Sequence, residues 1–146
     1  MKTVVQWEPY LKGVPNFIDR EQIDILERQW GVILPESYKQ VVSRYQGMSP
    51  EPGVFNVDQG DDVFCVLLTI EPYEGKETYS VQKVHQVLKP HVPAGIFPFA
   101  KTPGGEHLCF DYRASTNQPK IVLVTVETWI FPVAESFEAL LDGLYQ

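Results

Sequence analysis

Apolar residues recur along this chain with two different periods, and the switches between them divide it into segments. Ile23, Leu26 and Trp30 stand at i, i+3 and i+7, the stripe of a helix with one buried face. Asp19 precedes the stripe as an N-cap and Gly31 follows it as a left-handed terminator, so a helix over Arg20–Trp30 is expected. Pro35 suits the first turn of a second helix, because the missing N–H is not needed there. Tyr38, Val41, Val42 and Tyr45 continue at helical spacing to Gly47, which makes a helical hairpin across a short bend.

The period then shortens. Val63-Phe64-Cys65-Val66-Leu67-Leu68 is an unbroken apolar run of strand length between Asp61-Asp62 and Glu71-Pro72, and it reads as one strand covered on both faces. Thr78–Lys89 returns to helical spacing, with Val81, Val84 and Leu88 inward and Pro90 as the stop. Ile96–Lys101 and Glu106–Arg113 flank Thr102-Pro103-Gly104-Gly105, whose adjacent glycines offer the positive φ angles of a tight β-hairpin. Asn117-Gln118-Pro119 turns the chain into the β-branched strand Ile121–Glu127. A last helix starts at Ser136 as N-cap, with Phe137, Leu140, Leu141 and Leu144 on one side. Helices at both ends and strands joined by short turns between them predict an α+β fold, a largely antiparallel sheet packed against helices.

At 146 residues the chain has the size of one domain, 1–146, with a single core. No apolar run approaches the roughly 20 residues of a membrane helix, and the first residues lack the basic start and short apolar stretch of a secretory signal. Two cysteines, Cys65 and Cys109, are too few for a disulfide framework, which favours a cytoplasmic protein with free thiols. The net charge of −7 is concentrated: residues 49–79 hold seven acids (Glu51, Asp58, Asp61, Asp62, Glu71, Glu74, Glu77) against Lys76 alone. That distribution disfavours nucleic acid as a partner, since phosphate binding needs a basic footprint, and it suits a cationic one. No glycine-rich phosphate loop opens any of the helices, and no repeat is visible.

Candidate chemistry is sparse. His107, Cys109 and Asp111 alternate along one strand and share a face, the residue types of a nucleophilic site. Same-face neighbours on one strand lie roughly 6.5 to 7 Å apart, too far for a hydrogen-bonded relay. The simpler reading makes Cys109 a small buried residue and puts His107 and Asp111 at the sheet rim. With Cys65, His85 and His91 they match no zinc spacing, so neither metal nor cofactor is expected. His85 sits beside the third helix's apolar stripe, where a half-buried histidine bonds a backbone carbonyl. Of the tryptophans Trp7, Trp30 and Trp129, Trp30 belongs to the core stripe, whereas Trp129 is the better candidate for an exposed contact. Tyr73, inside the acidic stretch, is another.

Leu26-Glu27, Gly31, Leu34-Pro35, Ser37-Tyr38 and Gly47, then Phe97-Pro98-Phe99-Ala100, Gly104-Gly105 and Cys109-Phe110-Asp111-Tyr112, then Pro119 through Val126-Glu127 and Ala134-Glu135-Ser136-Phe137-Glu138 with Leu140-Leu141, form an ordered set. Over about residues 19–144 this set resembles the SUKH superfamily, which includes yeast cell-wall assembly regulators and many bacterial immunity proteins. Gly105 is followed by Glu106 where that pattern has a small polar residue or aspartate, and the acidic segment Asp58–Glu77 matches none of its motifs. The resemblance implies an α+β domain without enzymatic activity, which in bacteria commonly neutralises a contact-delivered toxin, often a nuclease. Combined with the acidic stretch, it points to an immunity protein that occludes a basic toxin. Asp58, Asp61, Asp62, Glu71 and Glu74 would supply charge, and Tyr73 or Trp129 the apolar anchor. The alternative is a regulatory or scaffold interaction domain with no toxin partner.

Overall fold

The computed structural model describes residues 4–58 and 60–146. The chain enters through a short strand, β1 (Gln6–Pro9), and then forms α1 (Arg20–Trp30), whose bounds match the apolar stripe. Gly31 ends it in the left-handed region at φ 68°, its N–H donating to the Glu27 carbonyl at 2.8 Å. Asp19 holds the N-cap position with extended backbone, but its side chain makes no capping bond. α2 (Glu36–Tyr45) starts one residue after Pro35, which occupies the cap position rather than the first turn. Glu27 closes this helical hairpin: its carboxylate accepts the Leu34 N–H at 2.6 Å and pairs with the Lys39 ammonium at 2.8 Å.

Three short strands follow, β2 (Met48–Glu51), β3 (Val54–Val57) and β4 (Gly60–Val63). β1 pairs with β2, and β3 with β4, each antiparallel. The apolar run 63–68 is not the single strand its composition suggests, because it changes partners midway. The Phe64 N–H still bonds Gly53 beside the β3–β4 ladder, whereas the Cys65 N–H bonds Lys101, and β5 (Val66–Leu67) opens the main sheet. A strand shared by two separate ladders must break between them.

The expected helix 78–89 also divides. A 3₁₀ turn covers Glu77–Tyr79, and α3 (Val81–Leu88) begins only where the Ser80 hydroxyl accepts the Lys83 N–H at 3.1 Å. Val81, Val84 and Leu88 are buried as the stripe predicts. α3 ends at Leu88, ahead of Pro90 as expected, and Pro90 itself lies inside a second 3₁₀ turn, Lys89–His91.

The principal sheet has five antiparallel strands in the order β5-β6-β7-β8-β9: β6 (Ile96–Lys101), β7 (His107–Asp111), β8 (Lys120–Val124) and β9 (Ile130–Ala134) after β5. In the β6–β7 turn only Gly105 takes positive φ, at 82°, and the Thr102 hydroxyl accepts the Glu106 N–H at 3.0 Å in place of a second left-handed glycine. β8 stops at Val124 instead of Glu127, because Thr125–Trp129 folds into a turn that delivers the unanticipated β9. α4 (Phe137–Asp142) is capped by Ser136, whose hydroxyl accepts the Ala139 N–H at 3.0 Å, and ends before Leu144, which is buried all the same. The α+β class and the antiparallel sheet therefore hold.

On β7, Phe110 packs against Tyr38 of α2 and Phe137 of α4, and the alternating residues His107, Cys109 and Asp111 occupy the opposite face. Tyr38 of α2, Phe99 of β6, Phe110 of β7 and Phe137 of α4 form a closed cluster, with Phe99 stacked on Phe110 at 4.4 Å between centroids and Tyr38 edge-on to Phe110 at 5.0 Å. Trp30 is half-buried and stacks on Phe97 at 4.6 Å, tying α1 to β6. The Tyr112 hydroxyl donates to the Ile33 carbonyl at 2.6 Å, pinning the helical hairpin to the sheet.

Two tyrosines with opposite hydrogen-bond status give a paired test. Tyr38 is fully buried and its hydroxyl has no partner among the described residues, whereas the Tyr112 hydroxyl makes a short bond across the fold. Tyr112→Phe should cost about 1 to 2 kcal/mol in urea unfolding, because it leaves the Ile33 carbonyl unpaired. Tyr38→Phe should be neutral or stabilising. Equal losses for the two variants would contradict this packing.

Candidate functional site

The acidic segment folds into two separate places. Asp58, Asp61 and Asp62 sit on the β3–β4 hairpin, and Glu71, Tyr73 and Glu74 in the loop before α3. Asp58 and Asp61 are exposed, and Asp61 accepts from the Tyr145 hydroxyl at 3.4 Å while Asn56 accepts from the same hydroxyl at 2.8 Å. Tyr145 also pairs through its backbone with Val54, so the C-terminal end of the chain clamps β3.

The three loop residues are differently placed. Glu71 and Tyr73 are half-buried, and Glu74 is exposed. The Tyr73 hydroxyl accepts from Gln46 Nε2 at 3.2 Å. Gln46 is fully buried and completely used: its Nε2 also donates to Pro15 O at 2.7 Å, and its Oε1 accepts the Ile70 N–H at 3.0 Å. Tyr73 thus helps to hold its own loop against the helical hairpin, which spends much of what a contact anchor would offer.

β3 packs beside β9, the edge strand of the main sheet, and this brings the hairpin acids toward the Thr125–Trp129 turn. Asp62 and Glu127 both lie near enough to the Glu106 carboxyl to shift its titration. Partial burial first, and then the charges of Asp62 and Glu127, raise the Glu106 pKa above the ordinary carboxylate range. Carboxyls crowded in this way favour a cation among them. Neither Glu106 nor Glu127 stands out by charge density in the sequence, although Glu106 occupies the position that departs from the resembling pattern.

Trp129 projects from the same turn as Glu127 and is 66% exposed, as is Val126. The turn is closed by its own bonds: the Thr125 N–H donates to Trp129 O at 2.9 Å, the Trp129 N–H to the Thr125 hydroxyl at 3.0 Å, and the Thr128 N–H to Thr125 O at 2.8 Å. Thr128 adopts φ 67°, an unfavourable conformation for a β-branched residue that the closed turn imposes. An exposed indole on a fixed backbone, two residues from Glu127, makes a preorganised contact surface.

Within the His107, Cys109 and Asp111 row, Cys109 is the small buried residue expected, whereas His107 is half-buried beside α3 rather than free at the sheet rim. Cys109 is fully buried between its cross-strand partners Pro98 and Val122, its thiol donates to the His107 carbonyl at 3.8 Å, and burial, helped by Asp111, pushes its pKa up. Burial pushes the Asp111 pKa up, but the Arg113 bonds at 2.9 and 3.0 Å outweigh it and hold the carboxyl below its usual range. His85 is half-buried and packs between Trp30 and Phe97, at 5.5 and 4.9 Å between centroids, rather than being recognisable by a carbonyl partner. Among the described residues no three His, Cys, Asp or Glu side chains are grouped to hold a metal, and no helix is long and apolar enough to cross a membrane.

Burial, and then Lys101, push the His107 pKa down to about 4 from 6.5. Between those values the unfolded chain binds the proton that the folded one refuses, so stability falls as pH drops through this window and is fully restored above it. The effect at its limit is about 3 kcal/mol. Denaturant unfolding from pH 7 to pH 4 should therefore show a shallower acid loss for His107→Gln than for the parent, and parallel curves would refute the assignment.

The sequence profile described as SMI1 / KNR4 family (SUKH-1) matches residues 18–143. Neither a curated protein nor a solved structure matches the chain.

Proposed function

The chain belongs to the SMI1 / KNR4 family (SUKH-1), and from that premise we propose that it is an immunity protein which binds a cognate, basic protein toxin in the cytoplasm and occludes its active site. The observation that carries this reading is the closed Thr125–Trp129 turn, which exposes Trp129 and Val126 and carries Glu127, a neighbour of the Glu106 carboxyl that Asp62 also approaches. An interface of this kind needs an aromatic anchor and a charge partner close together. A lysine or arginine entering between Asp62 and Glu106 would relieve their mutual repulsion, a gain that a neutral partner cannot offer. Nuclease toxins hold phosphates in basic clefts, so the same carboxylates present the charge such a cleft is built to receive.

The proposed action is binding, without catalysis or cofactor. Cys109 supports this, since a thiol that is buried and held protonated is a poor nucleophile. Asp58, Asp61 and Glu74, exposed but outside the crowded cluster, would serve steering more than affinity. Glu71 and Tyr73 lie in the loop bonded to Gln46 and would contribute least.

The test begins with a photo-crosslinking side chain at position 129 in the native host, followed by identification of the captured protein and its expression alone and with this chain. Under the proposal the partner is toxic alone and harmless in co-expression. Trp129→Ala should then weaken the isolated complex at least thirtyfold, about 2 kcal/mol, and Asp62→Lys/Glu127→Lys should slow association and flatten its salt dependence. A captured partner without toxicity would instead favour a regulatory or scaffold domain.

A further inference from the structure

Away from the carboxylates, a groove of about 390 Å³ runs between α3 and the β6–β7 hairpin. Val84, Val87 and Leu88 line it from the helix, and Lys101 and His107 from the strands. Val84 and Leu88 are buried in its floor, whereas Val87 stands at its mouth, 70% exposed. Its charge is opposite to that of the chain as a whole. Lys83 and Lys101 border it against a single acid, Glu77, and α3 itself, Val81-Gln82-Lys83-Val84-His85-Gln86-Val87-Leu88, contains no acid. The Lys101 ammonium lies 4.8 Å from the centroid of the Tyr79 ring, which fixes its position without neutralising it. Neither lysine forms a salt bridge among the described residues.

We propose that this groove binds a small ligand with an apolar body and a single carboxylate, the body lying on Val84, Val87 and Leu88 and the carboxylate between Lys83 and Lys101. Its volume is that of a small-molecule pocket rather than of a macromolecular interface. A protein partner would need roughly 800 Å² of surface on this side, yet Val87 is the only exposed large hydrophobic residue among those lining the groove. The apolar surface lies within the concavity. A monoanion fits better than a phosphate, because the groove has no arginine fork, and the amino end of α3 is already closed by the Ser80 hydroxyl. His107 adds a neutral ring to the floor at physiological pH. This site is independent of the proposed toxin contact, although Glu106 and His107 are neighbours in the chain and belong one to each.

Decanoate is a suitable probe, titrated into the full chain while backbone amide resonances are followed, with decanol as the neutral counterpart. The expected result is saturable shifts confined to residues around Val84, Val87, Leu88, Lys101 and His107, with decanol binding at least fivefold more weakly. Lys83→Glu should weaken decanoate at least fivefold, and Val87→Glu should abolish it. Both positions are exposed, so the variants should keep the parent's circular dichroism and melting temperature. The proposal is overturned if decanoate produces no shifts or shifts scattered over several faces, if decanol binds as tightly, or if Lys83→Glu binds decanoate as the parent does. Because no toxin is involved, failure here leaves the Trp129 reading untouched, and failure of that reading leaves this one.

Discussion

Tyr38, Phe99, Phe110 and Phe137 are all fully buried and in mutual ring contact, and the remainder of the fold is arranged around that meeting. Each ring comes from a different element: α2, β6, β7 and α4. The cluster therefore joins the helical hairpin, the centre of the sheet and the last helix in one contact set, worth several kcal/mol beyond ordinary burial if each aromatic pair adds about 0.5 to 1.5 kcal/mol. Its geometry has consequences outward. Once Tyr38 is fixed, the hairpin can approach the sheet only as its own ties allow, and those are the Glu27 bonds to Leu34 and Lys39 and the Tyr112 bond to Ile33. The residues that mark the family block by block are thus also the residues that bring those blocks into contact.

The same core dictates where a partner can be met. A five-stranded sheet has two edges, and each is attended by one of the small ladders: β2 packs beside β5, and β3 beside β9. Edge strands left open invite pairing with other chains, and Pro132 within β9 further discourages it. Covering the β9 edge carries the β3–β4 hairpin, with Asp61 and Asp62, toward the β8–β9 turn. Edge protection and the assembly of the carboxylate cluster are one structural act. The strained Thr128 is tolerable there because three hydrogen bonds hold its turn closed.

What could be read from the chain alone follows from how local each determinant is. α1 was legible to the residue, since its stripe and Gly31 act within a few positions of one another. The β6 strand and the Ser136 cap were legible for the same reason. β1, β2, β3 and β9 were not. They are four or five residues long, three of them contain a proline, and their pairing is decided by distant partners such as Tyr145 for Val54. The run 63–68 looked continuous because composition does not record a change of partner at Phe64–Cys65. The candidate surface was half legible. Asp62 and Trp129 could be named from charge density and residue type, but Glu106 meets Asp62 and Glu127 only through the tertiary fold.

That last point alters the weight given to the net charge of −7. At physiological ionic strength a charge is screened beyond about 8 Å, so acids scattered over a loop and a hairpin do not add into one site merely by being neighbours in sequence. Glu71 and Glu74 belong to the steering field, which sets how often a basic partner arrives. Asp62 and Glu106 are half-buried neighbours, with exposed Glu127 near the Glu106 carboxyl, so a cation is worth more there and screening less than over the open loop. With Trp129 on the same turn as Glu127, charge and apolar area are presented by one element, and it is this coincidence, rather than the acidity of the segment, that distinguishes a contact from a solvated surface.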